Sequence, residues 1–146
     1  TIKVDASDYD GNAASQKSVT FKIDTVPPTL SVTSPADGFV TNQAACNVQG
    51  TTNDLTSSPV SVTVKLNNGN AEAATVASNG SWSKTITLVE GTNTITVVAT
   101  DSAGKSTTVT RTVKLDTKAP VIKSVTLTPN PVDTEKTVVI SVEVTD

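Results

Sequence analysis

Acidic and amide side chains alternate in one short stretch of this 146-residue chain, and their oxygens are the clearest candidates for chemistry. They lie in the segment DYDGN at 8–12, and a second copy of this turn carries Asp101. Two proline-containing junctions, at 24–28 and 116–120, each begin with a further aspartate. Hard cations such as Ca²⁺ take about six to eight oxygen ligands, which clustered turn carboxylates and carbonyls at a domain boundary can supply. The candidate calcium ligands are therefore Asp8, Asp10, Asn12, Asp24, Asp101 and Asp116.

The two copies of the turn differ at positions that matter for such a site. Ala103 stands where the first copy has Asp10, and Lys105 stands where it has Asn12. Losing a carboxylate and gaining an ammonium group weakens a cation site, so the sequence favours the Asp8 turn. The alternative is a plain hairpin turn in each copy, in which the aspartate accepts hydrogen bonds from local backbone amides.

Other reactive side chains are scarce, and this scarcity argues against an enzyme. The chain has no histidine, which excludes a Ser-His-Asp or Cys-His arrangement within it and a zinc site of the usual kind. Paired carboxylates for glycoside hydrolysis are available by residue type, but most of the acids lie in turns. Cys46 is predicted to be a small buried residue, with a reactive thiol or an intermolecular disulfide as the alternatives.

A long internal repeat defines the elements that position these residues. TIKVDASDYDGNAASQKSVTFKIDTVPP at 1–28 recurs as TITVVATDSAGKSTTVTRTVKLDTKAP at 94–120. The spacing of about 90 residues is the size of one immunoglobulin-like β-sandwich. Because the first copy begins in mid-repeat, we expect the chain to be a piece of a longer tandem array.

Alternating apolar residues predict strands between these turns. Val60, Val62, Val64 and Leu66 share one face, and the runs at 93–100 and 106–115 alternate in the same way. The predicted strands lie near 29–33, 45–50, 60–67, 71–77, 81–88, 93–100 and 106–115. About seven short strands predict an all-β fold, an immunoglobulin-like Greek-key β-sandwich.

The predicted core combines apolar residues from most of these strands: Leu30, Val32, Cys46, Val48, Val60–Leu66, Trp82, Ile86, Leu88, Ile95–Ala99, Val113 and Leu115. Lys84 has the same inward parity as Trp82, Ile86 and Leu88, although it is charged. We expect its ammonium group near a sheet edge where it reaches water. The alternative for Lys84 is an isopeptide crosslink, which needs a buried lysine, asparagine and acid in one apolar pocket. Tyr9 is the one aromatic residue expected to be clearly exposed.

Proline-containing junctions divide the chain into three predicted units. Residues 1–26 are the last strands of one repeat, 27–118 a complete sandwich, and 119–146 the first strands of a following module. The tail places candidate strands around Val125 and Leu127 and around Val138–Val144. The junctions are expected to be short, extended spacers.

The segments PPTLSVTSPADG, VQGTTND, NGSWSKTITLVEGTNTITVVATDSAGK and VKLDTKAP, together with 1–26, resemble bacterial immunoglobulin-like (Big-type) tandem repeat domains. Such domains occur in secreted, cell-surface and phage virion proteins. The end, VTLTPNPVDTEKTVVISVEVTD, is similar to a related immunoglobulin-like or fibronectin-like module. The resemblance implies spacers in adhesins, accessory domains of polysaccharide-degrading enzymes, or virion appendages, and it brings no universal catalytic residues.

Composition is consistent with an extracellular role. A net charge of −3 argues against nucleic acid, and no stretch reaches the ~18 apolar residues of a membrane span. We predict a non-catalytic stalk of a surface or adhesin-type protein that projects a distal domain. Its expected partners are neighbouring repeats in the same chain, with cell-surface glycans or proteins as further candidates. The alternatives are a carbohydrate-binding accessory module of a secreted enzyme and a phage tail appendage.

Overall fold

The computed structural model describes residues 1–128, 130, 134 and 137–146, and all of their regular secondary structure is β. The strands are β1 (Ile2–Val4), β2 (Lys17–Val19), β3 (Thr29–Ser34), β4 (Phe39–Thr41), β5 (Ala45–Asn53), β6 (Ser61–Leu66), β7 (Ala71–Ala73), β8 (Thr75–Val76), β9 (Ser81–Thr87), β10 (Gly91–Thr100), β11 (Ser106–Leu115), β12 (Val121–Thr128) and β13 (Val139–Thr145). None of the described residues forms a helix that could cross a membrane.

Nine of these strands form two sheets. One sheet has the order β4-β11-β10-β6-β7, and the other has the order β3-β5-β9-β8. Neighbouring strands are antiparallel, except that β4 runs parallel to β11. The predicted class, an all-β immunoglobulin-like sandwich, is confirmed.

The core lies between the two sheets, because each strand turns alternate side chains inward. Buried and exposed residues alternate strictly along β5, and Trp82 on the neighbouring β9 is 2% exposed, which confirms its predicted place in the core. Cys46 is buried as predicted, and burial raises the pKa of its thiol. The buried apolar residues are Val32, Cys46, Val48, Val62, Val64, Trp82, Leu88, Ile95, Val97, Ala99, Val113 and Leu115. Leu30, Val60, Leu66 and Ile86 are partly buried against them.

Two strand predictions were incomplete. The single strand predicted at 71–77 is divided, because β7 pairs with β6 and β8 pairs with β9 in the opposite sheet. The backbone crosses between the sheets at Ala74, whose amide donates to the Val62 carbonyl at 2.9 Å. Strand β4 was not predicted, since its short exposed sequence has little alternation. Gly38 N, which donates to the Thr112 carbonyl at 2.9 Å, brings β4 beside β11.

Lys84 lies where the two sheets approach each other beyond the end of β8. Its Nζ is 2.7 Å from the Glu72 carboxylate on β7, and its side chain is 25% exposed. The ammonium group therefore reaches water, as predicted. This ion-paired, solvent-accessible position does not form the buried apolar pocket that an isopeptide crosslink needs.

Two strand pairs flank the sandwich. β1 pairs with β2, and β12 pairs with β13, both antiparallel. The tail strands lie where the alternation predicted them, although β13 begins at Val139 rather than Val138. Within the tail motif, positions 129, 131–133 and 135–136 lie outside the described residues. The division into units at 1–26, 27–118 and 119–146 stays a prediction.

Candidate metal centre

Three loops meet at one end of the sandwich, and each contributes an aspartate. Asp24 precedes β3, Asp54 follows β5, and Asp101 follows β10. Strand pairing brings the loops together, because the start of β3 pairs with the end of β5 and the start of β6 pairs with the end of β10. One carboxylate oxygen from each residue lies within 4.8 Å of the others. We call these three residues the aspartate cluster.

Asp101 is held by the tight turn between β10 and β11. Its Oδ1 accepts hydrogen bonds from the backbone amides of Ala103 and Lys105, both at 2.8 Å. The residue is only 6% exposed, and its Oδ2 is buried without a hydrogen-bond partner among the described residues. A buried carboxylate oxygen without a donor or cation is costly, because the charge has lost its water. The turn therefore uses one oxygen of Asp101 and leaves the other unsatisfied.

The two carboxylate oxygens of Asp54 differ in the same way as those of Asp101. Its Oδ1 accepts from the backbone amides of Thr56 at 2.7 Å and Ser57 at 2.9 Å, as expected of an aspartate that begins a turn. These hydrogen bonds, above all the one from Thr56, hold the pKa of the Asp54 carboxyl below its ordinary value of 3.8. Its Oδ2 is buried and has no hydrogen-bond partner in the part of the chain that the structure describes.

Asp24 connects the preceding segment to this pair of loops. Its Oδ1 accepts from the Val26 amide at 3.0 Å, and its Oδ2 is 2.8 Å from the Thr56 hydroxyl. The same hydroxyl is 2.9 Å from Oδ1 of Asp54. A hydroxyl has one hydrogen, so it donates to one of these carboxylates at a time. Thr56 therefore satisfies the cluster only in part.

No cation from the described part of the chain neutralises the aspartate cluster. The ion pairs among those residues are Lys84–Glu72 and Lys114–Asp116. Carboxylates held close together without a cation repel one another, and burial makes that repulsion stronger. The donor set is all oxygen, which suits a hard cation such as Ca²⁺.

The structure distributes the sequence-predicted calcium ligands over separate places. Asp24 and Asp101 belong to the aspartate cluster, whereas Asp8, Asp10 and Asn12 lie in the exposed first turn. Asp116 accepts from the Lys114 ammonium group at 3.0 Å, which lowers the pKa of its carboxyl.

Asp54 was not among the residues predicted to bind calcium. Its signal lies in the polar segment between β5 and β6, where Asp54 and Leu55 are followed by three hydroxyl residues and a proline. Only the pairing of distant strands shows that this turn adjoins Asp101.

The two copies of the repeated turn share their backbone geometry. The amide of Asp8 donates to the carbonyl of Asn12 at 3.0 Å, and that of Asp101 donates to Lys105 at the same distance. They differ at the second carboxylate oxygen. In the first copy the Asn12 side-chain amide donates to Oδ2 of Asp8 at 2.8 Å and is the main cause of that carboxyl's lowered pKa. Oδ2 of Asp101 has no such partner.

The chain is similar in sequence to one protein family and to one curated peptidase. The family model described as glucodextranase, domain B, matches residues 28–117, which is more than half of the chain. Bacillopeptidase F of Bacillus subtilis (strain 168) is 35% identical over 117 residues, covering 80% of this chain and 8% of that protein. A crystal structure of an engineered protein is 26% identical, with a TM-score of 0.49, covering 61% of this chain and 20% of that one. The chain thus spans less than a tenth of the length of its peptidase relative.

Proposed function

Since the chain belongs to the glucodextranase domain B family, we propose that it is a non-catalytic, extracellular immunoglobulin-like module that spaces the working parts of a larger enzyme. The repeated turn carries this proposal. The same hydrogen bonds recur at Asp8 and Asp101, in segments that each lead to a proline-containing junction. Modules that recur in series with the same junction extend a protein rather than build one reaction site.

The first junction is fixed to the sandwich rather than free. Pro28 is fully buried, and its carbonyl accepts from the Thr107 hydroxyl at 2.6 Å. The Thr56 hydroxyl beside Asp24 adds a second attachment. Proline restricts the backbone further, so the junction resists bending. These contacts favour a spacer with a defined direction over a flexible tether.

The residues available for catalysis support a non-catalytic role. The aspartate cluster is the one group of three or more His, Cys, Asp or Glu side chains within metal-binding distance among the described residues. Asp101 is almost entirely buried, and the turn amides occupy its Oδ1. A glycosidase needs two carboxyl groups that flank an accessible sugar. Buried and held by its turn, Asp101 does not present such an accessible carboxyl group.

The comparisons favour a parent enzyme over an adhesin or a virion. The family is described by a glucodextranase and the curated relative is named as a peptidase, so related modules occur beside different activities. A module shared between unlike substrates is better explained by spacing than by recognition of either substrate. The same two enzyme relatives support an extracellular location for this chain.

Aromatic residues give little support to a sugar-binding surface, which needs rings to stack on the sugar. Tyr9, Phe21 and Phe39 are all exposed, so the prediction that only Tyr9 is exposed was wrong. They lie on a turn, after β2 and on β4, respectively. Trp82 is buried. Aromatic content alone could not show that Phe21 and Phe39 lie outside the core.

The test compares three forms of the parent protein: intact, with residues 27–118 deleted, and with that segment replaced by an unrelated β-sandwich of similar length. A spacer predicts that deletion leaves activity on a small soluble substrate unchanged and lowers it on a polymeric or surface-bound one. The unrelated sandwich should then restore the lost activity. Failure of that replacement, together with retention of the isolated chain on a polysaccharide gel, would instead indicate a specific binding module.

A further inference from the structure

The aspartate cluster contains two buried carboxylate oxygens that receive no hydrogen bond from the residues the structure describes. They are Oδ2 of Asp101 and Oδ2 of Asp54. We propose that Asp24, Asp54 and Asp101 bind one Ca²⁺ ion, which fastens the segment before β3 to the two loops at that end of the sandwich. All three ligands belong to the isolated chain, so calcium binding there does not depend on the proposed spacer role.

The geometry suits one shared ion. Oxygens that bind Ca²⁺ lie about 2.3–2.6 Å from it, so two ligands of one ion are at most about 5 Å apart. The three carboxylates offer oxygens within 4.8 Å of one another, which satisfies this limit. Water and backbone carbonyls would complete the coordination. Mg²⁺ fits less well, because it requires a smaller, near-octahedral site.

The comparison of the two turns shows that an unsatisfied oxygen is not inherent in this hairpin. At Asp8 the same backbone turn is completed by the side-chain amide of Asn12, so both oxygens of that carboxylate have donors. At Asp101 the corresponding residue is Lys105, which provides only its backbone amide. Here the carboxylate has no such amide, and one of its oxygens lies within 4.8 Å of oxygens from two further carboxylates. The second copy therefore exchanges an internal hydrogen bond for a place that a cation can occupy.

Calcium would also resolve the remaining conflict at Thr56. Its hydroxyl lies within hydrogen-bond distance of both Asp24 and Asp54, but its one hydrogen can serve only one of these carboxylates at a time. An ion bound by the carboxylates neutralises their repulsion. It also joins the segment that carries Asp24 to the loop that carries Asp54. Its binding should thus restrain residues 24–26 more strongly than the protein contacts alone.

The binding test is calorimetric titration of the chelator-treated 146-residue chain with calcium chloride alone. We expect one ion per chain and affinity for magnesium chloride at least about tenfold lower. Asp101→Asn and Asp54→Asn retain a turn acceptor and remove a carboxylate, so each should lower calcium affinity at least about tenfold. Asp8→Asn is the matched control, since it makes the same change in the equivalent turn, and it should leave the affinity unchanged.

Thermal unfolding in chelator establishes that each variant is folded before it is titrated. Calcium at 100 times the dissociation constant of the original chain should raise the midpoint of that chain and of Asp8→Asn, and it should raise the midpoint of folded Asp101→Asn by about half as much or less. Absence of calcium binding by the original chain, or equal affinity in Asp101→Asn, would overturn the site. If Asp101→Asn does not fold, folded Asp54→Asn decides the question by the same criteria.

The junction is tested separately through Asp24→Asn. Calcium should slow amide hydrogen exchange at Thr25 and Val26 in the original chain, and this protection should be lost in the variant together with affinity. Calcium binding that is unchanged by Asp24→Asn would refute the fastening of the preceding segment. Since these measurements use the isolated chain, their failure is distinct from a failure of the spacer proposal.

Discussion

Replacing Asn93 by alanine is expected to lower the free energy of unfolding by about 3 kcal/mol. Asn93 is fully buried at the point where the chain crosses from β9 in one sheet to β10 in the other. Its Oδ1 accepts from the Val89 amide at 3.0 Å, and its Nδ2 donates to the carbonyls of Val89 at 2.7 Å and Gly91 at 3.0 Å. The side chain therefore closes the crossover by hydrogen-bonding its backbone.

The magnitude follows from the groups that the substitution leaves behind. Three backbone groups lose this partner, and each buried polar group left unpaired costs about 1–3 kcal/mol. The side-chain amide of Asn67 also donates to Oδ1 of Asn93, at 3.3 Å, but it is partly exposed and can bond to water instead. Val89 is exposed and Gly91 is partly exposed, so water reaches the loop and the lower end of that range applies. For a domain of this size, about 3 kcal/mol corresponds to a fall of about 12–24 °C in the unfolding midpoint.

The assay is urea and thermal unfolding followed by the fluorescence of Trp82, the single tryptophan of the chain. Asn42→Ala, on an exposed loop, is the control and should change the stability by less than about 0.5 kcal/mol. Asn93→Asp keeps the shape but places an oxygen against the two carbonyls, so it should destabilise at neutral pH and less as the carboxyl becomes protonated. If Asn93→Ala and Asn93→Asp both matched the control, the crossover clamp would be refuted.

Two further substitutions test other parts of the sandwich. Gly50→Ala should lower the free energy of unfolding by about 1–3 kcal/mol. A Cβ at this position would meet the Ser31 carbonyl and lie 2.8 Å from Cζ2 of Trp82. An unchanged urea midpoint would contradict this close packing. Hydrogen bonds from Thr112, its backbone amide first, hold the pKa of the Asp37 carboxyl below 3.8. The resulting stabilisation is present above pH 3.8 and is lost as the pH falls through the lower folded-state pKa. Asp37→Asn should therefore be less stable at pH 6, and that difference should shrink in acid; a difference independent of pH would refute the assignment.

The sequence by itself determined most of the strands of the sandwich and most of its core. Alternation along β5, β6, β10 and β11 persists because one side of each strand faces the opposite sheet, and that constraint is local in sequence. Burial of Trp82 followed from the same parity. The repeated turn was also evident, since its aspartate and glycine stand at matching positions in both copies.

Only the tertiary structure decided which acids meet. Asp24, Asp54 and Asp101 lie far apart in sequence, and they converge because β3 pairs with β5 and β6 pairs with β10. The division of 71–77 between sheets and the parallel pairing of β4 likewise depend on distant partners. Local pattern records which way a side chain faces, whereas the juxtaposition of loops depends on long-range strand pairing that no single segment encodes.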